Sequence, residues 1–108
     1  MKNVKIVVFV PKSHTKEVLE AVGKSGGGVI GNYSYCSFST EGVERFKPNE
    51  KATPFIGKFG KLEKAKEDRI EFVCQRNRAK EIIKAMREAH PYEEVAFDIY
   101  PLLDESEL

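Results

Sequence analysis

The stretch at 89–102 constrains the fold most strongly, because a helix end, a proline corner and an alternating strand follow one another there. Pro91 disfavours the helical conformation of the residue before it, so a helix is expected to end at His90. Beyond the corner, alternate apolar residues share one face of a predicted strand: Val95, Phe97 and Ile99. Pro101 has no N–H for further pairing, so the strand is expected to end there.

The rest of the chain predicts three more strands and two helices. Alternating or continuous apolar residues predict strands over 4–10, 32–40 and 67–74. A helical apolar period predicts helices over 15–24 and 78–89. This order predicts an α+β protein with the ferredoxin-like βαββαβ arrangement, in which an antiparallel sheet carries both helices on one face.

Three connections need interpretation. The glycine-rich run at 25–31 follows a helix and precedes a strand, so it predicts a helix C-cap and turn rather than a phosphate-binding loop. Glu41 and Gly42 are typical of a turn, with a short hairpin return over 43–46. A long connection over 47–66 contains several aromatic residues, which argues against simple disorder.

Length and composition indicate one globular domain over 1–103 with a frayed acidic tail over 104–108. The net charge of +1 gives no global field for nucleic acid or a membrane. The N-terminus lacks the cleavage site of a secretion signal, and no apolar run approaches the ~20 residues needed to span a bilayer. Cys36 and Cys74 lie in predicted strands and are interpreted as reduced core residues of a cytoplasmic protein.

His90, Glu93 and Glu94 form the most suggestive polar cluster. Imidazole nitrogen and carboxylate oxygen are ligands of divalent metals, so the cluster predicts a metal site. Adjacent strand residues point to opposite faces, so only one glutamate can join His90 unless another chain or the long connection adds ligands. The alternative is local: the imidazole interacts with the helix dipole, and Tyr92 packs the corner.

Catalytic and RNA-binding signatures are weak. His14 and His90 are the only histidines, and no Ser-His-Asp set or activated-cysteine motif stands out. The sequence therefore predicts a binding or regulatory module; the alternative is a small metal-dependent enzyme using His90 with Glu93 or Glu94. The segment 69–74 lacks the signature of an RNA-recognition module, so nucleic acid is not an expected partner.

Several segments resemble the insertion domain of YqfO (Nif-three-like) proteins. They are 31–34, 52–57, 67–71 and 90–100, and the His-Pro-Tyr-Glu-Glu motif is the most specific of them. The resemblance extends over nearly the whole chain. It implies a PII-like or CutA-like module with a ferredoxin-like fold, which in that family lies inside a larger protein whose flanking halves hold a two-metal site.

The resemblance implies a free-standing version of this insertion module, because the flanking metal-binding halves are not matched. Its role would be assembly, or binding of a small ligand or a divalent metal. Tyr33 and Tyr92 lie in the matching segments and are the predicted ligand-binding residues. PII-like and CutA-like proteins are typically trimers, so a homo-oligomer, and first a trimer, is expected.

The alternation of the strands assigns residues to the two faces of the sheet. The helix-covered face is predicted to hold Val4, Ile6, Val8, Ile70, Phe72, Cys74, Val95, Phe97 and Ile99. The other face is predicted to hold Val7, Phe9, Tyr33, Tyr35, Val73, Ala96 and Tyr100. Such an apolar patch again predicts an oligomer; the alternative is that the aromatic residues of 47–66 cover it within one chain.

Overall fold

The computed structural model describes residues 2–108. Within them lie four strands, β1 (Asn3–Pro11), β2 (Phe38–Phe46), β3 (Glu63–Gln75) and β4 (Phe97–Pro101). Two helices, α1 (Thr15–Lys24) and α2 (Ala79–Ala89), are each entered through one turn of 3-10 helix, at Lys12–His14 and Arg76–Arg78. None of the helices in this part of the chain is long and apolar enough to cross a membrane.

The strands form one antiparallel sheet in the order β2-β3-β1-β4. Ile6 lies in the centre, paired with Phe72 on one side and Ile99 on the other. Both helices pack on the same face of the sheet, which confirms the predicted ferredoxin-like fold. We call the other side of the sheet the open face.

The core lies between the sheet and the helices. Its buried residues are Val4, Ile6, Val8, Val10, Val18, Val22, Ile70, Phe72, Cys74, Ala79, Ile82 and Met86. Val95 and Phe97 pack against its margin. The predicted helix-covered face is thus confirmed, except that Ile99 on the edge strand β4 stays exposed.

The second strand differs from its prediction. The strand predicted over 32–40 and the turn at Glu41 and Gly42 are wrong, because β2 runs without a break from Phe38 to Phe46. It pairs with β3 from Phe38 opposite Glu71 to Phe46 opposite Glu63. This long backbone ladder overrides the local turn preference of glycine. Since β3 begins at Glu63, the connection is shorter than predicted and spans 47–62.

The glycine turn after α1 is as predicted and accounts for the displaced strand. Gly28 has φ +78°, donates to the carbonyl of Val73 over 2.7 Å and accepts from the N–H of Cys36 over 2.8 Å. A Cβ at Gly28 would lie 2.2 Å from the Cys36 carbonyl oxygen. The chain between them doubles back through paired backbone bonds of Ile30 and Tyr33 instead of entering the sheet.

Two tyrosines that were predicted on the open face therefore lie elsewhere. Tyr33 lies in this doubled-back segment and is exposed, and the Tyr35 ring packs against Gly23 of α1. Their assignment to the open face was wrong. Cys36 also lies outside the strands and is half-buried, whereas Cys74 is buried as predicted, and both are free thiols.

The acidic tail forms one turn of 3-10 helix at Glu105–Glu107. The Asp104 side chain accepts from the N–H of Ser106, and the Glu107 carboxylate accepts from the N–H of Asp104. A single turn at a chain end opens easily, so fraying in solution stays a prediction.

Candidate functional site

The structure gathers a set of buried and half-buried polar side chains at the end of the open face where β1 ends. We call Glu44, Glu67, His90 and Tyr92 the polar cluster. Their positions come from three elements, since Glu44 lies in β2, Glu67 in β3, and the other two in the segment 90–96 that leads into β4. In β3, Glu67 alternates with Ile70 and Phe72 and therefore faces away from the helices.

His90 ends α2 and is buried, with 6% of its surface exposed. Its Nε2 lies 2.7 Å from the carbonyl oxygen of Phe9, and its Nδ1 accepts from the N–H of Tyr92 over 3.1 Å. Since Nδ1 is an acceptor here, Nε2 carries the proton and donates to Phe9. Burial is the main cause that lowers the pKa of His90, which favours this neutral form.

Glu67 is the most deeply buried charged residue of the polar cluster, with 2% of its surface exposed. The hydroxyl of Tyr92 donates to its Oε2 over 2.6 Å. Burial, and then this hydrogen bond to Glu67, raise the pKa of Tyr92, so the phenol keeps its proton as the donor.

Glu44 completes the polar cluster from the neighbouring strand. Burial, and then its hydrogen bond to Glu67, raise the pKa of Glu44 to about 8. Oε2 of Glu44 and Oε1 of Glu67 are buried, and neither atom has a hydrogen-bond partner among residues 2–108. Glu44 therefore keeps its proton at neutral pH, because two adjacent buried carboxylates would repel each other.

A pocket of about 620 Å³ opens beside this pair, between the connection 47–62 and the segment 90–96. Three rings line it: the centre of the Tyr92 ring lies 6.3 Å from that of Phe46 and 6.2 Å from that of Phe55. The N–H of Thr53 donates to the Glu93 carboxylate over 2.6 Å and links the two walls. We call this space the aromatic pocket.

A second space of about 520 Å³ lies on the open face next to the aromatic pocket. Its walls include Phe9, Gly42, Glu67 and Arg69. Glu44 and Ala96 line both spaces, so they adjoin across the Glu44 side chain. A larger space of about 840 Å³ lies at the far end of β1 and β3 and has no aromatic lining, so it is a weaker candidate for binding an organic ligand.

The predicted metal-binding residues are near one another in sequence, but His90 and Glu93 form hydrogen bonds with different parts of the chain. Both ring nitrogens of His90 are hydrogen-bonded within the chain, and Glu93 holds Thr53. Among the residues that the structure describes, no group of three or more His, Cys, Asp or Glu is arranged to hold a metal ion. A metal site at His90, Glu93 and Glu94 stays a prediction that needs ligands from another chain.

The two predicted ligand-binding tyrosines are not brought together. Tyr92 lines the aromatic pocket, whereas Tyr33 is 75% exposed and is not among the residues that line it. Sequence reasoning missed Glu44 and Glu67. The available signal was Gly42, which lies opposite Glu67, but it was interpreted as a turn.

Several known proteins are similar to this chain in sequence and fold. No family model matches the chain. A protein of Halalkalibacterium halodurans named "GTP cyclohydrolase 1 type 2 homolog" is 50% identical over 103 residues, which is 95% of this chain and 28% of that protein. The Bacillus subtilis protein of the same name is 50% identical over 98 residues, covering 91% of this chain and 26% of that protein. This chain is a homologue of the YqfO (Nif-three-like) insertion domain.

Solved structures agree with this relationship. The crystal structure of a Bacillus cereus protein related to NIF3 matches with a TM-score of 0.84 and 48% identity, over 95% of this chain and 26% of that one. CutA from Xylella fastidiosa matches with a TM-score of 0.71 at 12% identity, over 99% and 90% of the two chains, and so shows the CutA-like fold alone. The YqfO-like chain spans about a quarter of the length of the curated relatives it matches.

Proposed function

We propose that the chain is a PII-like or CutA-like binding module that holds a small ligand in the aromatic pocket and works as an oligomer. The observation that supports this most directly is the pocket itself. Its volume of about 620 Å³ is of the size that holds small organic ligands. Apolar rings next to a few placed polar groups are the usual composition of such pockets.

The aromatic pocket offers both kinds of group. Phe46, Phe55 and Tyr92 present ring surfaces, and Glu44 presents a carboxyl group whose proton is retained at neutral pH. A planar or compact apolar group would replace water against the rings, which is favourable in proportion to the area covered. The carboxyl group would then orient the ligand.

The two chain segments that form the walls of the aromatic pocket support a regulatory role. One wall is the connection 47–62 between β2 and β3, and the other is the segment 90–96, joined by the hydrogen bond of Thr53 to Glu93. A ligand that contacts both walls would hold the connection in one position. Since much of the connection is exposed, a partner could sense that position.

A divalent metal is the alternative ligand in this proposal. Glu93 and Glu94 line the pocket, and His90 lies next to them. To join them, the imidazole would have to release the carbonyl of Phe9 or the N–H of Tyr92. With such a metal, a small metal-dependent enzyme becomes the alternative function.

The oligomeric part of the proposal rests on the open face. Phe9, Val73, Ala96 and Tyr100 lie there, joined by the exposed ring of Phe38. Phe55 and Ile56 of the connection line the aromatic pocket together with Ala96, so cover of this face by the connection is the competing account. A trimer is the first expectation, and the free thiols of the chain support a reducing, cytoplasmic location.

A thermal-shift screen with nucleotides, small aromatic compounds and divalent metals tests the pocket. A ligand that binds only the folded state raises the unfolding midpoint. We expect Phe55→Ala to remove the shift of a hit compound. Phe59→Ala is the matched control, because Phe59 belongs to the same connection, is 68% exposed and does not line the pocket. Equal shifts in both variants, or no shift with any compound, would overturn the proposal.

A further inference from the structure

The buried polar atoms that lack a partner within residues 2–108 are concentrated in one place. They are Oε2 of Glu44, Oε1 of Glu67 and Nε of Arg69. All three side chains line the space of about 520 Å³ that adjoins the aromatic pocket. Because buried polar groups are almost always hydrogen-bonded, unpaired atoms gathered at one cavity indicate a position that another group can occupy.

We propose that the Glu44–Glu67 pair receives the positively charged end of a small organic cation, whose apolar part lies between the rings of the aromatic pocket. The charged end would be an ammonium, amidinium or guanidinium group. This inference rests on the proposed function, since it concerns the ligand of the same pocket.

The chemistry of the pair favours exchange of a proton for a cation. In the free protein Glu44 keeps its proton, because burial and the neighbouring Glu67 raise its pKa to about 8. An amidinium or guanidinium can donate to an oxygen of each carboxylate, and charge-assisted bonds of this kind are short and strong. The proton of Glu44 is released to solvent as the cation enters, so charge is balanced.

The aromatic rings of the pocket also favour a cation over a neutral ligand. Phe46 and Tyr92 lie on the side of Glu44 that faces the aromatic pocket, and Phe55 packs on Tyr92. The face of an aromatic ring attracts a cation, and more strongly when water is excluded. A neutral compound of the same shape would keep the ring contacts but leave the proton of the pair in place.

Other charged groups near the Glu44–Glu67 pair do not remove its preference for a cation. The titratable and charged groups that face it are Arg69 from β3, Lys47 and Lys51 from the connection, and His90, Tyr92, Glu93 and Glu94 from the segment before β4. The Nε of Arg69 lies 3.6 Å from a carboxylate oxygen of Glu71 without a hydrogen bond, and the guanidinium lies 5.9 Å from the centre of the Phe9 ring. The lysines are exposed, and His90 and Tyr92 are neutral. Glu41 and Arg45 also line the space of about 520 Å³, although their positions alternate onto the other face of β2.

Isothermal titration calorimetry with benzamidinium, benzamide and benzoate tests the inference, because the three probes share one shape and differ in charge. At pH 7 we expect benzamidinium to bind about tenfold more tightly than benzamide, and benzoate more weakly than both. At pH values below the pKa of Glu44, which is about 8, the Kd of benzamidinium should fall about tenfold for each unit by which the pH is raised. Titrations in two buffers of different ionisation heat should report release of about one proton.

Two variants make the test specific. Glu44→Gln keeps the shape of the side chain but has no proton to exchange, so proton release and the pH dependence of benzamidinium binding should vanish. A cooperative urea-unfolding transition of Glu44→Gln shows that the variant folds. Glu50→Gln is the control, because it makes the same substitution at an exposed position of the connection that does not line the pocket.

The outcomes separate this inference from the proposed function. If benzamide and benzamidinium bind equally, or no proton is released, the cation inference is overturned and the pocket stands. If none of the three probes binds, the pocket and the cation inference are both overturned. Loss of proton release in Glu44→Gln, with proton release retained in Glu50→Gln, supports the inference.

Discussion

The hydroxyl oxygen of Tyr92 lies 2.6 Å from Oε2 of Glu67, and this hydrogen bond ties the segment before β4 to β3. The two residues are 25 positions apart in sequence. The bond holds the Tyr92 ring over the open face, where it forms one side of the aromatic pocket. It also gives the buried Glu67 carboxyl its donor, so the pocket and the carboxyl pair depend on the same contact.

Removing this donor should destabilise the fold. We expect Tyr92→Phe to lower the free energy of unfolding by about 1–3 kcal/mol, because a buried acceptor loses its partner. Urea denaturation measures the change. Tyr100→Phe is the control: its hydroxyl has no such bond and the side chain is exposed, so its effect should stay within about 0.5 kcal/mol. Equal effects in the two variants would contradict the importance of the Tyr92–Glu67 bond.

His90→Ala distinguishes a structural role from a metal-binding role. The imidazole bonds to Phe9 and Tyr92, so we expect a loss of about 1–3 kcal/mol in the absence of metal. Its lowered pKa adds a pH effect: the stabilisation is present above the ordinary value of 6.5 and is lost as the pH falls through the folded-state pKa. If the variant instead keeps its stability and loses only a metal-induced shift, His90 is a ligand. Glu93→Gln and Glu94→Gln then show which carboxylate joins it.

Glu44 should make the free energy of unfolding fall as the pH rises from about 4.5 to about 8. The folded state holds the proton of Glu44 up to about pH 8, whereas the unfolded chain releases it near the ordinary value of 4.5. The stabilisation is therefore full below pH 4.5 and is lost as the pH rises through about 8. Unfolding followed from pH 5 to 9 should show this decline in the wild type and a flatter profile in Glu44→Gln. An identical decline in the variant would assign it to another group.

The chain should associate through the open face, with a trimer as the first expectation. Sedimentation over a dilution series measures this, and a monomer at all concentrations would refute it. Phe9→Glu should dissociate the assembly, since a carboxylate buried without a partner is costly. Ile30→Glu is the matched control, because Ile30 is exposed in the connection after α1 and lies outside the sheet. Dissociation by both variants would point to another surface.

Parts of the site could be predicted from local sequence. The corner at Pro91 ends α2, and His90 is the residue that caps it, as the 89–102 stretch predicted. Its burial was beyond the sequence, since the carbonyl it contacts belongs to Phe9, 81 residues earlier. The Glu44–Glu67 pair was missed because β2 was expected to break at Gly42. Only an unbroken β2, in which alternate residues share one face, brings the two carboxyl groups side by side.

The sequence alone determined the βαββαβ order, the core face of β1 and β3, and the ends of both helices to within a residue or two, because apolar periodicity and proline act within a few positions. Tertiary structure decided the path of β2, which follows the long ladder with β3 and not the local preference of Gly42. It also decided the raised pKa of Glu44 and the aromatic pocket. Both arise where residues distant in sequence exclude water from one another, and burial increases the affinity of a carboxyl group for its proton.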